Sequence, residues 1–300
     1  MKISAVLVTF NRLTLLQQVL KAFESLTRKP DHLIIVNNCS TDGTLDYLTE
    51  WKDKTLLDVK LVNLDENLGG SGGFHEGLKE ALKTDSDWFW VSDDDAFPDS
   101  DSFELADKYL TENDTDKLGA ICGTVISYDT IDITHRRRLS GKLLRKEEKV
   151  QEYEYKKEEF DVDLFSYVGT IISRKALMSL GITEKDFFIW YDDTEHSMRI
   201  ASKYRIVCVP KIKVIHDTLP AIQGETSWKL YYGIRNQLIT YRKHYPLTFL
   251  YIILTLFRSI ISNVIKRRPY SRVRVIFFGL IHGVINKRGL DHYYYPGRKL

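Results

Sequence analysis

Short apolar runs alternate with helical patterns through the first third of this chain, and that alternation restricts the fold more than any other feature. Ile3–Thr9 reads as a buried strand. Residues 13–26 follow as a helix, with Leu16, Val19, Leu20 and Phe23 at helical spacing. Residues 33–36, 59–64 and 88–92 read as further strands, and 44–51 and 73–83 as the helices between them. This order predicts an α/β fold with a mostly parallel sheet and helices on both faces. Ligands of such sheets bind at the carboxyl ends of the strands. Polar residues stand at those ends: Asn11 after the first strand, Asn37 and Asn38 after the second, and Asp93, Asp94 and Asp95 after the fourth. Farther on, Leu118–Ser127, 165–172 and 204–215 read as strands. The charged stretch 134–160 reads as an exposed hairpin or mobile loop with solvated charges.

With 300 residues, 43% hydrophobic and 28% charged, the chain can bury a large core and is not of disordered composition. Its three cysteines are odd in number and widely spaced, which excludes a disulfide framework or a thiolate zinc site and leaves reduced thiols. The N-terminal apolar run is too short for a signal peptide, so a cytoplasmic chain is expected. A net charge of +2 hides an asymmetry. Residues 241–300 hold 12 Lys and Arg against one acid, Asp291, so they carry +11 and the remaining residues −9. That profile does not suit a nucleic-acid-binding face. Within the basic tail, Pro246–Ile265 is nearly continuous apolar sequence with one polar stripe, and 273–285 is a second apolar stretch edged with Lys and Arg. Helices lying in an anionic membrane interface have this pattern. Packing on the body or on a second subunit, and a membrane span, are the alternatives.

Four motifs carry chemistry. Trp90-Val-Ser-Asp93-Asp94-Asp95 ends an apolar strand in three carboxylates, of which Asp93 and Asp95 point to one side of an extended segment. Such a pair can hold Mg²⁺ or Mn²⁺ together with phosphate oxygens; an acidic turn or helix cap is the plainer alternative. Asn67-Leu-Gly69-Gly70-Ser-Gly-Gly73-Phe lets backbone approach a ligand closely and opens a helix whose N–H groups suit an anion. The run Trp190-Tyr191-Asp192-Asp193-Thr-Glu195 sets two carboxylates against an aromatic wall, as a general base or as the start of a capped helix. His216 closes a strand and gains meaning only if it meets Asp93 and Asp95.

Val8-Thr9-Phe-Asn11-Arg12, Val36-Asn-Asn38-Cys-Ser-Thr-Asp-Gly-Thr44, the Asp triplet and the stretch from Tyr191 to Arg199 together resemble an inverting glycosyltransferase of family 2, with the GT-A fold, over residues 1–240. The Gly-rich segment, the Asp pair and the later His are most similar to the galactofuranosyltransferase branch, with bacterial rhamnosyltransferases close to it. The resemblance implies a catalytic domain over 1–240 and a helical segment over 241–300. It places Thr9, Asn11, Arg12, Asn38, Asn67, Gly69, Gly70, Gly73 and Asp94 around the nucleotide-sugar donor. The family carries Asp where this chain has Asn38. Asp93, Asp95 and His216 are then the ligands of Mn²⁺ or Mg²⁺, Asp193 is the general base, and Trp190, Tyr191, Asp192 and Glu195 bind the acceptor. Trp228-Lys-Leu-Tyr-Tyr-Gly-Ile-Arg235-Asn236 resembles a family segment that can close over the diphosphate. The expected reaction is transfer of a sugar, galactofuranose from UDP-galactofuranose first, to a glycan or lipid-linked acceptor of a bacterial surface polysaccharide. Transfer of rhamnose from dTDP-rhamnose is the alternative, and a non-catalytic nucleotide-sugar-binding subunit is the alternative of another class. The tail is expected to bring the chain to the inner face of the cell membrane or to pair it with a second copy.

Overall fold

The computed structural model describes residues 1–216 and 227–300. Three β-α units open the chain: β1 (Ile3–Thr9), α1 (Leu13–Ser25), β2 (Leu33–Asn37), α2 (Thr44–Lys52), β3 (Val59–Asn63) and α3 (Gly69–Ala81), followed by β4 (Trp88–Asp93). The middle supplies β5 (Phe97–Pro98), α4 (Ser102–Glu112), β6 (Leu118–Ser127), β7 (Thr130–Ile131), β8 (Arg136–Ser140), β9 (Lys146–Lys149), β10 (Phe160–Val162), β11 (Leu164–Phe165) and β12 (Thr170–Ser173). Then come α5 (Arg174–Leu180), α6 (Asp192–Ala201), β13 (Arg205–Ile215), α7 (Lys229–His244), α8 (Pro246–Ile265) and α9 (Tyr270–Val284).

The main sheet runs β10-β13-β6-β12-β4-β1-β2-β3. Strands β3, β2, β1 and β4 are mutually parallel, as expected, but β12 is antiparallel to both β4 and β6, so the sheet is mixed. The stretch expected as one strand over 165–172 is broken between β11 and β12. Along β4, Trp88 and Trp90 enter the core on one face, and Phe89 and Val91 the core on the other. A strand buried on both sides needs no apolar–polar alternation. Strand order reverses at β1, with β2 on one side and β4 on the other, and the crevice at that switch point is where open α/β sheets bind ligands.

The helix expected from residue 73 starts at Gly69, so the Gly-rich segment is its first turn. Glycine there permits close packing. A Cβ on Gly73 would lie 2.5 Å from Val8 Cγ1, and one on Gly77 would lie 2.4 Å from Val6 Cγ1. α3 therefore rests directly on β1, and Gly73 is a packing residue that lines neither cavity of the site.

Of the two forms expected for the charged stretch, exposed hairpin or mobile loop, it takes the hairpin, but its arginines are not all solvated. β8 and β9 form a hairpin that joins β11 in a second, three-stranded sheet. Arg136 is fully buried and donates to the carbonyl oxygens of Gly123 (3.0 Å) and Val168 (2.7 Å). Three carbonyl contacts, the third from His135, satisfy a cation that composition alone assigns to solvent.

At the C-terminus, α7 packs against α8 and α9. Gly279 and Gly283 admit Ile234 and Leu238 of α7 at 3.0 and 2.7 Å from their built Cβ positions, so this small-residue pair serves a contact within the chain. One side of α8, including Phe249, Ile252 and Leu256, joins that packing; Leu250, Leu254, Phe257 and Val264 stay exposed.

Gly73→Ala is expected to lower unfolding free energy by about 1–3 kcal/mol, the range for overpacking a filled contact. Gly70→Ala, where a Cβ meets nothing within 4 Å, is expected to stay within about 0.5 kcal/mol of wild type. Urea unfolding of both variants measures the contrast.

Candidate active site

Pairing of β4 with β1 sets Asp93 opposite Val8 and carries the Asp triplet to the switch point. The three carboxylates diverge. Asp94 turns inward and accepts from Thr9 Oγ1 (2.7 Å), Phe10 N (3.3 Å) and Arg12 Nη1 (3.1 Å). Asp95 receives Arg12 Nη1 at 2.5 Å on one oxygen and faces His216 Nε2 at 3.3 Å on the other. Asp93 faces the open crevice between them. His216 arrives here because it follows β13, where its N–H donates to Ile126 of β6. Burial raises Asp94 to about 6 against the pull of Arg12 and Thr9. Burial and the neighbouring Asp95 and Asp94 push Asp93 well up. Burial also opposes ionisation of Asp95, but His216 and Arg12 outweigh it and hold its pKa low.

The opposite wall is the turn into α6. Phe188, Trp190 and Tyr191 all have positive φ, 68°, 65° and 68°. Such backbone costs about 1–3 kcal/mol per residue and persists only where surroundings impose it. Arg235 and Asn236 impose it. Asn236 Nδ2 donates to the carbonyls of Phe187, Ile189 and Trp190, each at 2.9 Å, and Arg235 Nη2 donates to Phe187 O at 2.9 Å. Both side chains are fully buried. These two residues hold the loop of the Asp pair, while Trp228 and Lys229 at the start of the same segment line the crevice. Trp190 lies across Gly233 of α7, whose built Cβ would stand 2.8 Å from the ring.

Asp192 and Asp193 then open α6. Burial and its neighbour Asp193 raise Asp192 to about 7. Asp193 is raised by burial while Arg137 and Thr194 pull it back; its Oδ1 accepts from Thr194 N (2.5 Å) and Thr194 Oγ1 (3.0 Å). Glu195, expected to bind the acceptor, does not reach the crevice. It is fully buried between α6 and α7, paired with Arg199 (2.8 Å), Lys243 (2.7 Å) and His244 (3.0 Å).

Two adjoining cavities result. One, of about 200 Å³, is lined by Thr9, Arg12, Asn38, Asn67, Gly69, Gly70, Asp93 and Asp94, with Phe10, Phe188, Trp228 and Pro296 as apolar walls. The other, of about 540 Å³, brings Asp93, Asp95 and His216 together with Trp190, Tyr191, Asp192 and Asp193. Arg12, Gly70, Asp93, Ile189 and Lys229 line both. Some expected donor residues work differently. Asn38 lines the first cavity, but its amide is spent on Leu68 N and Gly69 O, both 2.9 Å. Asn67 Oδ1 takes Gly69 N, and Phe188 O takes Ser71 N, so the first turn of α3 is largely satisfied from within. Asn11 lines neither cavity; its Oδ1 holds the turn at Thr41 N (2.7 Å). Lys229 belongs to the Trp228–Asn236 segment already singled out, but sequence reasoning missed Pro296 and the hairpin residues His135 and Arg137. No linear signal marks these three, because each comes from a segment remote from the motifs.

Asp93, Asp95 and His216 fit a divalent cation as an open site. His216 Nδ1 is buried without a hydrogen-bond partner, its Nε2 faces Asp95 at 3.3 Å, and Asp93 lines the same cavity. Among the described residues no three such side chains already converge as a cage, so an ion here draws further ligands from phosphate and water, the usual arrangement for Mg²⁺.

A doubly wound sheet with an acidic strand end at its switch point and a second carboxylate pair across the crevice defines the GT-A class of glycosyltransferase folds. Solved structures agree: S. aureus TarS 1-349 in complex with UDP-GlcNAc superposes with a TM-score of 0.58 over 80% of this chain and 66% of that one, at 15% identity. The mannosyltransferase PcManGT from Pyrobaculum calidifontis, in complex with GDP-Man and Mn²⁺, matches at 0.58 over 95% and 88%, at 14% identity. The Glycosyl transferase family 2 model matches residues 4–181, and the chain belongs to that family. Galactofuranosyltransferase GlfT1 of Mycolicibacterium smegmatis is 40% identical over 97 residues, 32% of this chain and 30% of GlfT1. The chain thus aligns with under a third of that relative's length. The uncharacterized glycosyltransferase YwdF of Bacillus subtilis is 27% identical over 72% of this chain and 74% of its own.

The Glu195 cluster has a pH signature. Burial opposes ionisation of Glu195, but the His244, Arg199 and Lys243 contacts prevail and hold its pKa at about 2, below the 4.5 of a free Glu. A depressed folded-state pKa contributes stability that is complete above the unfolded value and is lost as pH falls through the folded one. Melting temperature is therefore expected to fall between about pH 5 and pH 2, with on the order of 3 kcal/mol from this group. Glu195→Gln should flatten that limb, as thermal scans across pH will measure.

Proposed function

We propose that this chain is a metal-dependent inverting glycosyltransferase that moves a sugar from a nucleoside diphosphate to a hydroxyl of a glycan or lipid-linked acceptor. The observation that carries the reading is the shared cavity: the Asp93–Asp95–His216 wall faces Asp192 and Asp193 across one space, beside a smaller aromatic-lined cavity of suitable chemistry for a nucleoside. Asp93, Asp95 and His216 would hold Mn²⁺ or Mg²⁺, and an ion bound there would supply positive charge to the leaving diphosphate. Arg12 and Lys229, lining both cavities, add positive charge at the same junction. Asp193, anchored at one oxygen by Thr194, takes the proton from the acceptor hydroxyl. The acceptor hydroxyl oxygen bonds to the anomeric carbon as the bond from carbon to diphosphate breaks, on the opposite face. Asp192, Trp190 and Tyr191 orient the acceptor.

Galactofuranose is the favoured sugar, because the aligned part of GlfT1 and the Asn67–Phe74 and Asp192–Asp193 motifs point the same way. A screen of UDP-galactofuranose, dTDP-rhamnose and UDP-N-acetylglucosamine with Mn²⁺ or Mg²⁺, read as diphosphate release, tests donor and activity together; no release from any donor contradicts the enzyme reading. Calorimetry of UDP with and without Mn²⁺ tests the metal wall. Asp95→Ala is expected to abolish the metal-dependent part of UDP affinity, and an unchanged metal dependence contradicts the ligand set.

The same reading places the protein at the inner face of the cell membrane. α8 is long and apolar enough to span a membrane, and 6% of its most apolar window is buried. Its exposed Leu250, Leu254 and Phe257 lie in a tail of charge +11. Each Lys or Arg at an anionic surface contributes roughly 1 kcal/mol. Full-length protein is expected to co-sediment with phosphatidylglycerol vesicles, more weakly as salt rises, and far less with phosphatidylcholine. A dimer by light scattering that ignores both vesicles contradicts this and assigns the face to a second copy.

A further inference from the structure

The β8–β9 hairpin brings a charged pair to the edge of the larger cavity. Arg137 on β8 donates through Nη1 to Glu147 on β9, and through Nη2 to Thr194 Oγ1 at 2.9 Å. Thr194 in turn donates both its N–H and its hydroxyl to Asp193 Oδ1. Glu147 is held from the far side by the hydroxyls of Tyr191 (3.3 Å) and Tyr241 (3.0 Å). Arg137 also has a buried Nε without a hydrogen-bond partner, and it lines the cavity beside Asp193. The guanidinium thus touches the residue that orients Asp193, while one of its own donors faces no acceptor.

We propose that Arg137 is a positioning residue for the Asp pair: through Thr194 it fixes the Asp193 carboxylate toward the acceptor and keeps it ionised, with Glu147 setting how much of its charge Asp193 receives. The inference rests on the base role given to Asp193. Its physical content is a competition. Burial and the nearby Glu147 disfavour a negative charge at Asp193, and Arg137 is the cation that opposes them. The charge run that sequence reading assigns to solvent thereby sets the state of the catalytic carboxylate.

The test is the titration of Asp193, followed by ¹³C-carboxyl NMR and by the pH dependence of kcat/KM with UDP-galactofuranose and Mn²⁺. Removing an adjacent cation raises a carboxyl pKa, so in Arg137→Gln the Asp193 titration and the acid limb of kcat/KM should move up by about one pH unit or more. UDP affinity should be unchanged, and Arg137→Lys should restore most of the shift. Glu147→Gln frees Arg137 from its partner and should move both readouts down. The opposite signs keep the inference testable if one variant folds poorly, because a purely structural role would lower rate without moving either titration. Unmoved titrations in both variants overturn it. Asp193→Asn separates the two claims: if it is inactive while Arg137→Gln titrates like wild type, only the role of Arg137 falls. If Asp193→Asn turns over normally, the base assignment falls, and this inference with it.

Discussion

Three adjacent carboxylates at the end of a strand buried on both sides are the constraint around which this molecule is arranged. Like charges so close repel strongly in a poorly solvated setting, and the chain disperses them. Asp94 turns inward to Thr9 and Arg12, Asp95 bridges Arg12 and His216, and Asp93 is left facing the crevice. Arg12 is therefore the counter-ion of the folded protein without a ligand, and a divalent cation would add to or displace its charge. The same repulsion that raises Asp93 would favour a cation bound beside it.

The second carboxylate pair depends on a different device. Three residues with positive φ turn the chain into α6, and that turn is stabilised from behind by Arg235 and Asn236 of α7. Arg235 also donates to Gly289 O at 2.7 Å and lies over the ring of Tyr232, 4.7 Å from its centroid. Beyond α9, Tyr294 stacks on Tyr231 at 4.2 Å, and Pro296 reaches the smaller cavity. The C-terminal helices thus bear on the site through buried hydrogen bonds as well as presenting an exposed apolar face.

Much of this was legible in the sequence. β1 and β6 match their expected bounds, and β2, β3, β4 and β13 fall within a residue of theirs, because doubly buried strands are continuous apolar runs bounded by polar turns. Asp93, Asp95, His216 and the Asp192–Asp193 pair do line one cavity, as chemistry-bearing residues at strand ends should. What failed were readings of single polar residues whose partners lie far along the chain. Glu195 stands one turn from Asp192 and looked like part of the same surface, but Lys243 and His244 claim it. Asn11 sits in the right turn, yet lines neither cavity and spends its amide oxygen on backbone; Asn38 does line the smaller cavity. Arg136 and Arg137 looked solvated because alternating Lys and Glu surround them, while the pleat turns one into the core and the other to the cavity rim.

The central claim is that Asp93, Asp95 and His216 hold the cation that meets the donor diphosphate, opposite Asp192 and Asp193. Anomalous diffraction from crystals of the full chain grown with Mn²⁺ and UDP measures this directly. The account predicts one manganese peak within ligand distance of Asp93, Asp95, His216 and the diphosphate, with the nucleoside between Phe10 and Trp228. Manganese elsewhere, or UDP bound with no manganese beside these three residues, would contradict it.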